Sequence, residues 1–395
     1  MIDKIQIKKL ADKYFNEIVE VRRHLHKYPE LSKKEKETSA FICKKLDEIG
    51  IQYNNNIYGY GIFGFIDGKK PESHTVMLRA DMDALPITEE TTLDCKSINK
   101  GVMHACGHDI HMATLLGAIK ILNELKDTFC GRIMFIFQPS EEEYPGGAVS
   151  MIKNGIFNDI KPEAVLAFHC TPELPCGHVA IREGKMMAST DEIYITIKGK
   201  GGHGATPHLD IDPVVAGCNV VTALQTIVSR NANPTMPTTF SVGRFIAEGR
   251  TNIIPDEVKM DCIIRTFDED WRKQCHNLIK RISENTAAAF GCTADVFIDP
   301  GYPFVYNNPE LTKLITANIK EYLGEDMVQN ADMRMTAEDF AYFGQIIPSC
   351  YFRVGTHIEG DPIYNLHSSK FNANEEVLRY AMGLEVYLAL KYLEK

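Results

Sequence analysis

The sequence predicts an α/β protein with a mainly parallel sheet, interrupted by a smaller inserted domain. Short apolar runs, typical of strands buried on both faces, alternate with helical segments in both outer parts of the chain. Between these parts the elements follow the order β-α-β-β-α-β of a ferredoxin-like domain. We therefore expect residues 1–183 and 302–395 to form one discontinuous domain and residues 184–301 to form the second.

The first part of the chain begins with two helices. Apolar residues recur at helical spacing through the first thirty residues. Ser32, with Glu35 three positions later, is a capping-box pattern, so we expect a second helix from Ser32 to a C-terminal Gly50. Beyond it the patterns predict strands at 61–66, 75–79, 132–137 and 164–168, and helices at 111–126 and 146–155.

The inserted and C-terminal parts are assigned by the same rules. In the insertion we expect strands at 192–201, 238–246, 257–267 and 293–298, and helices at 212–231 and 268–290. After it the patterns predict a helix at 309–324, a strand at 349–355 and a helix at 374–393. These last elements return the chain to the first domain.

Composition excludes several classes of protein. The formal net charge is −10 and no run of Lys and Arg interrupts it, which argues against nucleic acid and anionic membranes as partners. The N-terminal stretch lacks the apolar core of a signal peptide, and no window approaches ~18 consecutive apolar residues. The eleven cysteines are scattered, many in apolar stretches, which is typical of reduced core thiols in a cytoplasmic protein.

Candidate functional residues lie where strands of the first domain end. Ligands of open α/β sheets bind at the carboxyl ends of the strands. The polar residues found there are Asp81 and Asp83 after strand 75–79, Glu141, Glu142 and Glu143 after strand 132–137, His169 after strand 164–168, and His367 after strand 349–355. A further pair, Cys106 and His108, stands just before helix 111–126.

Cys106 and His108 are open to two interpretations. One is a cysteine nucleophile with His108 as its base. Two residues apart in a glycine-containing loop, however, the pair can point at one ion more easily than it can form the oriented thiol–imidazole bond of that mechanism. Thiolate and imidazole are both good ligands for a borderline-soft ion, so we favour a metal site.

Each remaining candidate also has a purely structural alternative. Residues 141–143 could form a solvated acidic loop, although carboxylates at the end of a buried strand need a compensating cation. Taken alone, His169 could be a histidine of the core and His367 could be a surface residue. Asp83 could simply shape a turn. In the insertion, His203 lies in a glycine-rich loop that could be merely flexible. The recurrence of metal-ligand types at the strand ends of one domain favours a metal site.

In order along the chain, these motifs resemble the M20 metallopeptidase family, in its amidohydrolase branch of hippurate hydrolases, N-acyl-amino-acid amidohydrolases and N-acetyldiaminopimelate deacetylases. The resemblance covers nearly the full length. The chain departs from many members by having Glu143 and Tyr144 after the paired glutamates, which changes the rim of the pocket. The matching stretches are RRHLHKYPEL, LRADMDALPI, MHACGHDIHMA, FQPSEE, GKGGHGATPH, DPVVAG, LQTIVSRN, NIIPDE, RTFD, AEDFAYF and HSSKF.

The resemblance implies a catalytic domain that binds two metal ions, with an inserted lid and dimerisation domain. The residues that match metal ligands are Cys106, His108, Glu142, His169 and His367, with Cys106 bridging the two ions. The residues that match catalytic groups are Glu141 as general base, Asp83 as support for the metal pair, and His203 as oxyanion donor. Asn252 and Arg265 match residues near the substrate, Arg265 as a contact for its carboxylate.

The function that follows is hydrolysis of the amide bond of N-acyl amino acids by metal-activated water. Two divalent ions per subunit are implied, Zn or Mn first, with Ni or Co as alternatives. The partners are a small N-acyl amino acid or short peptide and a second copy of the chain, bound through the lid. A dipeptidase or carboxypeptidase with the same site is one alternative. A non-catalytic metal-dependent binding protein is another, and the presence of Glu141 argues against it.

Overall fold

The computed structural model describes residues 3–394, which fall into two compact units. Among the described residues, the first unit comprises 3–186, 306–332 and 339–394, and the second comprises 187–305 and 333–338. The expectation that residues 302–395 belong together is therefore wrong for 302–305 and 333–338. The segment 333–338 joins the second unit because the backbone N–H of Ala188 lies 3.0 Å from the carbonyl oxygen of Arg334 and 3.2 Å from that of Thr336.

The helices and strands are numbered in chain order. Up to the unit boundary they are α1 (Lys4–Lys27), α2 (Lys36–Ile49), β1 (Tyr53–Ile57), β2 (Gly61–Asp67), β3 (Thr75–Asp81), α3 (His108–Leu125), β4 (Arg132–Gln138), α4 (Gly147–Lys153), β5 (Ala164–Pro175), β6 (Val179–Ile181) and β7 (Gly184–Met187). The next elements are β8 (Asp191–Lys198), β9 (Gly202–His203), α5 (Pro213–Leu224), β10 (Thr238–Ile246), β11 (Ile253–Ile254), β12 (Glu257–Thr266), α6 (Glu269–Ala289) and β13 (Thr293–Pro300). The last are β14 (Val305–Asn307), α7 (Pro309–Leu323), β15 (Val328–Asn330), α8 (Ala341–Gly344), β16 (Ser349–His357) and α9 (Val377–Leu393).

The start of α2 differs from the capping-box prediction. The helix begins at Lys36, and its N-cap side chain makes no capping hydrogen bond. The hydroxyl of Ser32 instead donates to the carboxylate of Asp83 at 2.6 Å, and the carboxylate of Glu35 accepts from the backbone N–H of Ser140 at 2.8 Å. Both side chains are committed to distant loops, so the prediction of a capping box is wrong.

The large sheet of the first unit is mixed rather than mainly parallel. Its strand order is β1-β2-β4-β3-β5-β16-β6-β15, and only its centre, β4-β3-β5-β16, is continuously parallel. The pairs β1–β2, β2–β4 and β16–β6 are antiparallel. The difference arises because β1 and β2 are joined by a short hairpin, whereas parallel neighbours need a crossover such as α3 between β3 and β4.

The central strands are covered by helices. Helices α1, α3 and α9 pack against one another, and α3 and α9 also contact β3, whose seven residues are all buried. Strand β5 continues to Pro175 alongside β16, so His169 lies within the strand, opposite Arg353, and not after it as expected. This packing holds the carboxyl ends of the parallel strands in fixed positions.

Apart from the two-residue strands β9 and β11, the second unit has the element order β8-α5-β10-β12-α6-β13. Its four long strands form an antiparallel sheet in the order β10-β12-β8-β13, and α5 and α6 pack against each other. Both helices have side-chain N-caps. Asp212 accepts hydrogen bonds from the backbone N–H groups at the start of α5, and Asp268 accepts one from the N–H of Trp271 in α6.

The described residues also bear on the expectations about membrane spans and cysteines. No helix within residues 3–394 is long and apolar enough to cross a membrane. All eleven cysteines fall in that range and are free thiols, seven of them buried.

Candidate metal centre

Five potential metal ligands meet at the carboxyl ends of the central strands of the first unit. Cys106, His108 and His169 form one group, in which the ligand atoms lie within 4.8 Å of one another. Cys106, Glu142 and His367 form a second group under the same limit. The structure thus brings together the five residues singled out in the sequence, and Cys106 belongs to both groups.

Backbone carbonyl groups orient the two buried histidines in the same way. The Nδ1 atom of His108 lies 2.8 Å from the carbonyl oxygen of Asp83, and that of His169 lies 2.7 Å from the carbonyl oxygen of Cys170. Each Nδ1 therefore donates its proton to a carbonyl oxygen, and each Nε2 is the nitrogen left to bind a metal ion. The Nε2 of His169 points at the sulfur of Cys106, 3.3 Å away, and the buried Nε2 of His108 has no hydrogen-bond partner in the described chain. A metal ion would satisfy both nitrogens.

Two unusual backbone conformations shape the loops that carry these donors. Gly107 has φ +83°, and a Cβ atom there would lie 3.2 Å from both Cβ and Sγ of Cys170. His367 also has a positive φ, +67°, and its backbone N–H donates to the carbonyl oxygen of Ala105 at 2.8 Å. This bond ties the His367 loop to the Cys106 loop and brings the His367 imidazole to 3.2 Å from the carboxylate of Glu142.

Asp83 links the loops without belonging to either donor group. Its Oδ2 accepts hydrogen bonds from Ser32 at 2.6 Å and from the backbone N–H of Glu142 at 2.9 Å, and its Oδ1 lies 3.4 Å from the Nδ1 of His108. Burial by itself would raise the pKa of Asp83, but hydrogen bonds from His108, Ser32 and the Glu142 backbone lower it below its ordinary value. Asp83 is therefore a fixed carboxylate that supports two of the proposed ligands.

The surroundings of the donors are strongly negative. Burial opposes protonation of His108, yet nearby carboxylates, that of Asp81 first, raise its pKa to about 10. Burial, followed by the carboxylates of Glu142 and Glu141, raises the pKa of the Cys106 thiol well above its ordinary value. A divalent cation would neutralise this field and stabilise the thiolate. The charge and the chemistry of the donor set therefore fit metal binding.

Glu141 lies beside the donors in a well-anchored loop. It is 6% exposed and forms a group with His108 and the neighbouring glutamate. The backbone N–H of Asp339 donates to its Oε1 at 3.3 Å. The preceding Ser140 has φ +57°, and Glu35 holds it by accepting from its N–H at 2.8 Å and from its hydroxyl at 3.2 Å. The loop thus holds one carboxylate next to the metal ligands without drawing it into the Cys106 groups.

A network that the sequence did not reveal lies beneath the centre. The Nδ1 of His111 donates to Asp81 at 2.6 Å, and its Nε2 accepts from the backbone N–H of Cys170 at 3.0 Å. Arg79 donates to Asp81 at 2.6 Å and to Asp339 at 2.9 Å. Both nitrogens of His111 are engaged, so it positions β5 rather than facing the donors. The available sequence signal was a charged pair, Arg79 and Asp81, inside an otherwise apolar strand.

The three remaining candidates, His203, Asn252 and Arg265, lie in the second unit. The first two are neighbours, because the N–H of Gly204 donates to the carbonyl oxygen of Asn252 at 2.9 Å. The Nδ1 of His203 accepts from the N–H of Ala205 at 3.0 Å, which leaves the proton on its exposed Nε2. Arg265 lies elsewhere, on β12 of the four-stranded sheet.

Comparison with known proteins identifies the family of the chain. Residues 77–391 match the model of Peptidase family M20/M25/M40, and the chain belongs to this family. It is 39% identical to "Thermostable carboxypeptidase 1" of Saccharolobus solfataricus over 96% of both chains. It is 38% identical to "N-acetyl-L-cysteine deacetylase" of Bacillus subtilis over 92% of this chain and 85% of that protein. The protein is accordingly an enzyme, a hydrolase of amide bonds.

A solved structure extends the likeness to the three-dimensional fold. A Bacillus subtilis protein described as "a Dinuclear Metal Binding Peptidase from M20 Family" matches with a TM-score of 0.84 and 32% identity. The match covers 97% of this chain and 99% of that one. The α/β fold with its large mixed sheet is therefore shared with a two-metal peptidase.

Proposed function

We propose that the protein is a dinuclear metal amidohydrolase that cleaves N-acyl amino acids to a carboxylic acid and an amino acid. The observation that carries this proposal is the convergence of five metal ligands with Glu141 beside them. The deacetylase relative supports the substrate class, as does a Geobacillus stearothermophilus protein named "N-acyl-L-amino acid amidohydrolase", 41% identical over 78% of this chain and 82% of that protein.

The proposed ligands would hold two divalent ions. The ligands would be Cys106, which belongs to both donor groups, together with His108, Glu142, His169 and His367. When bound, such ions polarise the amide carbonyl and lower the pKa of a water molecule. Thiolate, imidazole and carboxylate together suit Zn or Mn, with Ni or Co as alternatives.

Glu141 would be the general base. Its carboxylate would take the proton of the attacking water and pass it to the leaving nitrogen, and the N–H of Asp339 holds it in place. Asp83 would fix the positions of the His108 imidazole and the Glu142 loop through the hydrogen bonds described above.

For the second unit we propose a lid and dimerisation role and a ferredoxin-like topology, supported by its four-stranded antiparallel sheet and two helices. His203 would stabilise the oxyanion, because its exposed Nε2 carries the donor proton. Removal of one such donor typically costs ~10²–10³ in rate. Asn252 and Arg265 would contact the substrate, and Arg265 would bind the carboxylate of the substrate.

The test of the catalytic assignment is Glu141→Gln. We expect kcat on hippurate or an N-acetyl amino acid to fall by ~10²–10⁴ while metal content stays at the wild-type level. The matched control is Glu143→Gln, because Glu143 is exposed and bonded to Lys33 at 2.6 Å. Near wild-type turnover by the Glu141 variant with normal metal content would refute the role.

A carboxypeptidase or dipeptidase using the same centre is the second candidate, favoured by the thermostable carboxypeptidase relative. A substrate panel separates the two: hippurate, N-acetyl amino acids and dipeptides, each with every candidate metal. A higher kcat/KM for N-acyl amino acids supports the amidohydrolase, and a higher value for dipeptides with a free amino group supports the peptidase.

A further inference from the structure

We infer that Arg22 and His26 of α1 are positioning residues for the metal centre, acting through Asp109 on the neighbouring ligand His108. The inference rests on the proposed function in taking His108 and Cys106 as ligands of two metal ions. It concerns four ionisable side chains outside the donor groups, all of them nearly inaccessible. Their exposed fractions are 1% for Arg22, 0% for His26, 0% for Asp109 and 5% for Glu89.

Asp109 is the point at which the network meets the centre. It directly follows His108 in the first turn of α3, and a single oxygen, Oδ2, receives hydrogen bonds from both Arg22 and His26. The Nε of Arg22 donates to it at 2.7 Å, and the Nδ1 of His26 donates to it at 2.9 Å. Two side chains on successive turns of α1 therefore hold one carboxylate oxygen at the start of α3.

The far side of each cation is anchored as well. The Nε2 of His26 lies 3.2 Å from Oε1 of Glu89, and Oε2 of Glu89 accepts from the backbone N–H of Ser97 at 2.7 Å. The Nη1 of Arg22 lies 3.3 Å from Glu375. With both ends of each side chain bonded, Arg22 and His26 hold the Oδ2 atom of Asp109 in place against α1.

Fixing Asp109 constrains His108 from one side, and the Asp83 carbonyl constrains it from the other. The carbonyl sets the rotation of the imidazole through the 2.8 Å bond to Nδ1. The bonds of Arg22 and His26 to Asp109 set the position of the backbone that bears the imidazole. Together these contacts fix where the Nε2 lone pair points, and partners of this kind are typically worth 10- to 100-fold in metal affinity or activity.

Stability alone is a weak explanation for this arrangement. Burying several charges carries a desolvation cost that their attraction often only balances, and apolar replacements of similar volume are frequently as stable. What the charged network supplies in addition is direction. Each hydrogen bond requires a particular angle, whereas an apolar contact tolerates a range.

The experiment compares metal retention in four variants of the full chain, loaded with Co²⁺. The test variants are Arg22→Lys, which keeps the charge but loses the guanidinium geometry, and His26→Gln, which keeps a donor. The matched controls are their exposed neighbours. Arg23→Lys is one, because Arg23 shares Glu375 with Arg22 but does not contact Asp109. His24→Gln is the other, because His24 stacks on Phe41 at 3.9 Å. A chelator is titrated in while the thiolate-to-Co²⁺ absorption of Cys106 and the released metal are followed.

We expect Arg22→Lys and His26→Gln to hold one of the two ions 10- to 100-fold more weakly, with an altered absorption band and an unchanged circular dichroism spectrum. Both controls should retain the wild-type affinity. Wild-type affinity and absorption in both test variants would overturn the inference alone, since the wild type would still show the centre. If Arg22→Lys does not fold, His26→Gln against His24→Gln decides the question. A wild-type chain that binds no Co²⁺ would refute the proposed function and the inference with it.

Discussion

The carboxyl group of Glu35 should make the stability of the protein fall as the pH rises. Glu35 is fully buried beneath the loop that carries Glu141. Burial, and next the charge of Asp83, raise its pKa from 4.5 to about 7. The folded protein therefore keeps a proton that the unfolded chain releases, and the stability this proton contributes is complete below pH 4.5 and lost as the pH approaches 7.

The change to make is Glu35→Gln, which keeps the oxygen that accepts from Ser140 but cannot ionise. At about 1.4 kcal/mol per pKa unit, a rise from 4.5 to about 7 corresponds to about 3 kcal/mol. The variant should therefore gain about 3 kcal/mol relative to the wild type between pH 4.5 and pH 8.

Urea unfolding at several pH values, in excess chelator so that metal binding does not contribute, measures this gain. The difference between variant and wild type cancels the pH effects that both share. Glu37→Gln is the control, because Glu37 is exposed two positions away on α2. A stability difference that is the same at pH 4.5 and pH 8 would refute the reasoning.

Three further changes test the centre and the core. Cys106→Ala should lose at least one equivalent of metal by elemental analysis while Cys350→Ala, at another buried thiol, keeps both; full occupancy in the Cys106 variant would contradict the ligation. Gly107→Ala should lower the free energy of unfolding by ~1–3 kcal/mol in denaturant titration, because φ is +83° and the new Cβ would crowd β5; an unchanged midpoint would argue against strain there. Glu385→Met should raise the free energy of unfolding at pH 8 by ~1–3 kcal/mol, seen as a higher urea midpoint, because burial raises the pKa of this core carboxyl well above its ordinary value; a lower midpoint would show that the carboxyl is stabilising.

Much of the secondary structure followed from local pattern. The strand limits 238–246 were predicted without error, and the second helix ends as expected with Gly50 in the left-handed conformation, at φ +81°. Such features depend on side chains a few residues apart, so one stretch of sequence contains the information. The mixed sheet was missed for the opposite reason: β2 and β4 pair through residues more than sixty positions apart.

The capping-box prediction shows where a local rule fails. Ser32 and Glu35 have the right spacing to cap a helix, and both have stronger partners elsewhere in the fold, in Asp83 and Ser140. A polar side chain forms hydrogen bonds with the polar groups that are buried beside it in the folded protein. Only the folded chain shows that Ser32 and Glu35 bond to the loops of Asp83 and Ser140 and not to the start of the helix.

By itself, the sequence determined which chemical groups were available: a thiol, imidazoles and carboxylates placed at strand ends, in an order that resembles one family of metallopeptidases. Tertiary structure decided how these groups are used. The carbonyl oxygens of Asp83 and Cys170 hold the Nδ1 protons of His108 and His169, which turns both Nε2 atoms toward the sulfur of Cys106 or the space beside it. The same structure gives His111, in the same motif, two other partners. The direction of a ring nitrogen depends on bonds between residues far apart in the chain, so spacing along the sequence cannot specify it.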